Sequence, residues 1–111
     1  MFNHVMLGAT DIEASKKFYD ATLGVLGAKP GYKHIGHGGV VRYMYFLDGG
    51  TFLISEPLDG NSASHGNGAT IGFKAKDTAT IDEWHKIGED NGGVTCEDPP
   101  GVRDGGGMKA Y

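Results

Sequence analysis

A shift of 66 positions lays the second half of this chain on the first without a gap. His4 then falls on Thr70, Val5 on Ile71, Leu7 on Phe73 and Ala9 on Ala75. Asp11 falls on Asp77, Phe18 on Trp84 and Gly27 on Gly93. An apolar strand-like run, a helix-starting aspartate, an aromatic anchor and a helix-ending glycine recur in the same order. Self-similarity of this kind means one supersecondary unit used twice, each copy leaning on the other to cover its apolar face. The unit reads strand, helix, strand, strand, strand.

The local signals fill in that unit. Residues 2–9, FNHVMLGA, alternate, with Val5 and Leu7 on one side and Phe2, His4 and Met6 on the other. Thr10 and Glu13 form a T-x-x-E capping box. The helix behind it is expected over about 11–23, with Ile12, Phe18, Tyr19, Leu23 and Leu26 on one face and Gly24 and Gly27 as its stop. The glycine-rich run before residue 40 reads as a short strand or loop. Residues 40–48, VVRYMYFLD, are β-branched and aromatic and predict a strand. Asp48-Gly49-Gly50 turns the chain as a hairpin, and 51–57 return. Residues 58–68 are loop by composition and the only plausible linker.

In the second half, 69–75 (ATIGFKA) predict a strand. Asp77 or Thr78 caps a helix over 78–91, with Ile81, Trp84 and Gly88 on one face. A short strand is expected within 93–100, a turn or mobile loop over 101–107, and the start of a strand at 108–111. The organisation is thus one domain, 1–111: a first module to about 57, the loop 58–68, and a second module from 69. By the repeat, strand 40–48 maps onto 106–114 and strand 51–57 onto 117–123. The second module therefore lacks its last strand here. An unpaired sheet edge invites pairing, so the expectation is that the chain continues past Tyr111 or that a partner supplies the edge.

Composition narrows the function. Glycine makes up 20 of 111 residues, against roughly 7% in average proteins, and its clusters fall between the apolar runs, as tight turns require. The net charge of -4, with no basic cluster beyond Lys16-Lys17, leaves no footprint for nucleic acid. The single cysteine, Cys96, excludes an intrachain disulfide framework, suits a reducing compartment and reads as a small apolar filler. No apolar run approaches the ~20 residues of a membrane span, and no secretory leader is evident. A cytoplasmic protein that meets no membrane is expected.

Three stretches carry a resemblance to a known family: HVMLGATDIEASKKFYDATLG (4–24), GNGATIGFKAKD (66–77) and GGGMKAY (105–111). Together with paired βαβββ units, they resemble the vicinal oxygen chelate superfamily, which holds glyoxalases, bleomycin-resistance proteins and extradiol dioxygenases. The resemblance implies an α+β fold in which paired βαβββ modules form an open, cupped mixed sheet with the helices outside. It also implies a cavity for a ligand or divalent metal, and commonly a homodimer. Phe2, His4 and Met6 would then face the cavity from the first module. Thr70, Gly72 and Lys74 would face it from the second, with Ile71 and Phe73 under the helix and the Trp84 stripe covering that sheet.

The metal set that the resemblance implies is a histidine from the first strand, a histidine or glutamine opening the second module, and a carboxylate from the last strand of each. His4 matches the first position. Thr70, a neutral hydroxyl and a poor ligand, stands at the second. Leu53 stands at the third, and Glu56, three residues on, falls on the opposite face of a regular strand. The fourth position lies beyond Tyr111. No metal cofactor is therefore expected, with a divalent metal on His4 and Glu56 as the alternative. Without metal, His4 is a polar cavity residue or a catalytic base, since an imidazole titrating near ~6.5 can move a proton at neutral pH.

Other residues are weaker candidates. On strand 40–48, alternation sets Tyr43 and Tyr45 on one face and Arg42 and Met44 on the other, and either pair could line a cavity. His34 and His37 lie in a glycine-rich loop context, His65 in the linker, and His85 on the outer face of the second helix. No G-x-S-x-G or phosphate-loop motif is present. The expected function is binding of a small, partly aromatic molecule by Phe2, His4, Met6, Thr70 and Tyr43 or Tyr45. The alternative is a divalent-metal-dependent lyase or dioxygenase of glyoxalase type acting on adjacent oxygens. A scaffold with a vestigial pocket is the third reading.

Overall fold

The computed structural model describes residues 1–111. Strand β1 (His4–Gly8) is followed by helix α1 (Ile12–Val25), β2 (Tyr32–Ile35), a short 3-10 turn (His37–Gly39), β3 (Val41–Leu47) and β4 (Gly50–Ser55). Helix α2 (Thr78–Asp90) and a hairpin of β5 (Arg103–Gly105) and β6 (Met108–Ala110) complete the chain. The main sheet has the order β1-β4-β3-β2, and β5-β6 stand as a separate pair. β1 runs parallel to β4, and the other pairings are antiparallel. This is a mixed α+β fold with a four-stranded mixed sheet and two helices.

Both helices are built by the same local chemistry. The Asp11 carboxylate accepts the Ala14 N–H at 3.1 Å, and the Asp77 carboxylate accepts the Thr80 N–H at 2.8 Å. Each satisfies a donor that the first helical turn leaves free. At the other ends, Gly27 N–H bonds to Gly24 and Ala28 N–H to Leu23, while Gly92 N–H bonds to Glu89 and Gly93 N–H to Gly88. These are two Schellman motifs, each with a glycine of positive φ at the turning position, +102° at Gly27 and +99° at Gly92. They stand 65 positions apart, the starts of the helices 66.

The expected capping box is corrected in one respect. Asp11, not Thr10, is the cap. Thr10 instead accepts the Ala63 N–H at 2.9 Å, tying the 58–68 loop to the start of α1, and Glu13 accepts the Tyr43 hydroxyl.

The core lies between α1 and one face of the main sheet. Ala9, Ile12, Leu23, Tyr43, Tyr45, Phe52 and Ile54 form it, with Val5, Leu7, Tyr19 and Phe73 packed against them. Each fully buried aliphatic side chain there contributes about 1.5–3 kcal/mol. The Tyr19 and Phe52 rings lie 4.8 Å apart, and Phe73 meets Phe52 edge-on at 5.3 Å.

The second half departs from the expected pattern. Residues 69–75 form no strand, and neither do 93–100. The 101–107 stretch, expected as turn, supplies β5 and the turn into β6. Helix α2 does not cover a sheet of its own. Gly88 leaves room for it to lie on the outer side of α1, against Phe18 and Thr22. Cys96 is exposed rather than a core filler.

Candidate functional site: the open face of the sheet

Register decides which side chains share the face that α1 leaves open. The hairpin β3–β4 closes through Asp48-Gly49, both at positive φ, with Leu47 opposite Gly50. Counting back, Phe46 pairs with Thr51, Met44 with Leu53 and Arg42 with Ser55. β1 adds His4 beside Thr51 and Met6 beside Leu53, and β2 adds Tyr32 beside Met44 and His34 beside Arg42. Residues paired in this way point to the same side.

The open face therefore carries three rows across the strands. His4, Thr51 and Phe46 form one end. Met6, Leu53, Met44 and Tyr32 form the apolar middle. Ser55, Arg42 and His34 form the other end. Met6, Phe46 and Tyr32 are exposed, while Leu53 between them is buried at 8%. Arg42 Nε donates to Ser55 Oγ at 3.0 Å, and Ser55 Oγ donates to the Glu56 carbonyl. The guanidinium is thus held at the polar end. His4 Nδ1 lies 2.7 Å from Asn3 Oδ1, which leaves Nε2 directed elsewhere.

Not every expected site residue reaches this face. His4 and Met6 lie on it. Phe2 precedes β1 and is exposed. Thr70 lies in the irregular 69–75 segment and is exposed. Tyr43 and Tyr45 are on the other side, buried under α1 at 5% and 1%. The Tyr43 hydroxyl donates to Glu13 at 2.6 Å and the Tyr45 hydroxyl to Asp20 at 2.9 Å. The pairing Tyr45–Phe52 and Tyr43–Ile54 sets both tyrosines with the core. Burial and the bond to Asp20 push the Tyr45 hydroxyl well above the ordinary phenol range. Burial alone would raise Asp20, but bonds from the Gly31 N–H, Lys16 and Tyr45 outweigh it and hold its carboxyl below the usual range.

The metal donors do not converge either. Leu53 sits beside Met6 on the open face. Glu56 follows β4, and its carboxylate accepts the Val41 N–H at 2.6 Å. His4 is at the far end of the β1–β4 pair from Ser55, roughly 13 Å along the strand. No group of three or more His, Cys, Asp or Glu side chains comes together anywhere in the chain. His34 and His37 divide between β2 and the 3-10 turn. His85 lies against Thr95 and Glu89, at 3.1 and 3.3 Å.

Sequence reasoning left Arg42 and Met44 as the alternative to Tyr43 and Tyr45, and missed Phe46 and Tyr32 as members of the open face. The signal was present in the turn. A two-residue hairpin centred on Asp48-Gly49 sets Met44 opposite Leu53, and so on the same side as the position assigned to a cavity ligand.

Comparison with known proteins agrees with this architecture. The family model described as Glyoxalase/Bleomycin resistance protein/Dioxygenase superfamily matches residues 1–111. The crystal structure of a glyoxalase/bleomycin resistance protein from Albidiferax ferrireducens T118 superposes with a TM-score of 0.89 at 50% sequence identity, covering 98% of this chain and 84% of that one. No curated protein matches the sequence. On the family match and the shared fold, this chain belongs to the glyoxalase/bleomycin resistance protein/dioxygenase superfamily.

Proposed function

We propose that the chain binds a small, partly aromatic molecule on the open face of its sheet, as a cytoplasmic homodimer and without the metal that the family's enzymes use. The observation that carries this reading is the composition of the face. Exposed Met6, Phe46 and Tyr32 surround Leu53 and Met44, with His4 at one end and Arg42 at the other. Thioether and aromatic side chains offer an adaptable apolar bed, and the two polar ends orient a ligand laid across it. The position where the family resemblance puts the first module's carboxylate holds Leu53, and Glu56 is spent on Val41. Closing such a face with a second copy would remove the exposed apolar surface from water.

One observation favours the second reading, a divalent-metal-dependent lyase or dioxygenase. The contact of His4 Nδ1 with Asn3 is the arrangement that orients a ligating imidazole and leaves Nε2 to the metal. Calorimetric titration of the metal-stripped protein with Ni, Co, Zn and Mn, beside His4→Ala, separates the two. The binding reading expects no tight one-to-one site in either protein. Tight binding lost in the variant would establish the metal reading and direct the protein to glyoxalase and ring-cleavage assays. For the ligand itself, Phe46→Ser should weaken retention of small aromatic molecules that the parent protein holds.

A further inference from the structure

On the opposite side of the sheet, an apolar cleft opens where α1 ends. Its floor is the edge of the core, Val5, Leu23, Tyr45 and Phe52, and its wall is the 71–74 segment, with half-buried Phe73 and the more exposed Ile71. The volume is about 250 Å3. That is less than the ~300–1,000 Å3 of pockets for drug-sized ligands, so the cleft suits a short chain or a single ring. It runs into a second, wider groove of about 610 Å3 past Gly27 and Thr80, and Asp48 and Lys74 belong to both.

Charge decides what such a cleft takes. Lys74 and Lys76 line the wider groove, and neither takes part in any of the chain's ion pairs or side-chain hydrogen bonds. Asp48 is the one acidic side chain lining either cavity, so the two ammonium groups outnumber it. The Lys74 stem can extend the apolar wall while its head stays in water, the ordinary disposition of a long cationic side chain. An apolar slot opening on unpaired cations matches a molecule that is apolar at one end and anionic at the other.

We infer that this cleft is a second binding site, for a short amphipathic carboxylate whose hydrocarbon end lies against the touching Phe52 and Phe73 rings and whose carboxylate meets Lys74 and Lys76. It is separate from the open face and does not depend on what that face binds. The test is a titration of the isotope-labelled protein with octanoate, followed through its backbone amides, beside 1-octanol as the neutral probe. Ile71→Glu and Lys74→Glu serve as variants, since both side chains are at the surface and their spectra report whether the fold is kept. The expected result is a set of shifts centred on Ile71–Lys74, Leu23 and Phe52. Lys74→Glu should weaken octanoate roughly tenfold, the worth of one charge-assisted bond, and leave octanol unchanged. The inference is overturned if octanoate shifts no amide at roughly millimolar concentration, or if the shifts gather at Met6, Met44 and Phe46. Equal binding of octanol and octanoate would overturn the anionic part.

Discussion

The two halves of this chain start from the same local instructions and arrive at different structures. In the first, residues 4–55 close a four-stranded sheet under α1, and ten of the twelve buried residues lie there. In the second, Thr80 and Gly88 are the buried residues, α2 rests on the other helix, and the strands reduce to a short hairpin. Yet the helix caps and stops are alike, down to the Schellman turns. A helix can be specified by its own ends. A sheet strand needs a neighbour to pair with and a layer to cover it.

The largest test of that contrast is a cavity in each half. Leu23→Ala, at a side chain 1% exposed beneath α1, should cost about 2–5 kcal/mol in urea denaturation. Ile81→Ala, in the half-buried face of α2, should cost less than half as much. Equal losses would mean that the second half is as tightly built as the first.

Next in size is the tie between α1 and β3. Tyr45→Phe leaves Asp20 without its hydroxyl donor and should cost about 1–3 kcal/mol. Asp20 also gives this half an acid limit. Its carboxyl titrates below the ordinary range when folded, so the unfolded chain binds the proton first and stability rises with pH there. The contribution is complete above the unfolded value of ~3.9 and is lost as pH falls through the lower folded value. Asp20→Asn should flatten that acid slope, measured as denaturation midpoint against pH.

The N-caps should give a smaller effect and separate the halves. Asp11→Ala should lower global stability by about 0.5–2 kcal/mol. Asp77→Ala should speed amide exchange in the first turn of α2 and leave the β3 and β4 amides protected. Smallest of all, Phe46→Ser on the open face should change stability by no more than ~0.5 kcal/mol while weakening ligand retention.

Much of the fold could be read from residues whose signals are local. The Asp77 cap, the Gly27 stop, the Asp48-Gly49 turn and the alternation of β1 each depend on a few neighbours, whereas the capping-box pattern places the first helix's cap one residue early, at Thr10 instead of Asp11. The 69–75 segment shows where this fails. Its sequence, ATIGFKA, alternates like β1, but Phe73 goes to Phe52 in the other half's core and the backbone takes no strand partner. Pairing is a property of the assembly, not of the segment. The open face was half legible. His4 and Met6 followed from alternation in β1. The choice between Tyr43 and Tyr45 and their neighbours required the hairpin register, which carries the inside-outside sense from one strand to the next. The Glu56 bond to Val41 left no trace in spacing, because it forms just past the end of the strand.

The place of β1 in the sheet also sets the order in which this protein can be born. β1 is at the edge, and its one neighbour is β4, so the first strand made has no partner until Ser55 has been added. At about 5–20 residues per second, that is a wait of roughly 2–10 s on the ribosome. α1 can coil at once, and β2, β3 and β4 can close as neighbours, but the amino-terminal strand has to wait for β4. A long-range parallel contact is the slow kind to form. The histidine that begins β1 therefore reaches its place beside Thr51 only once β4, made more than forty residues later, is there to receive it.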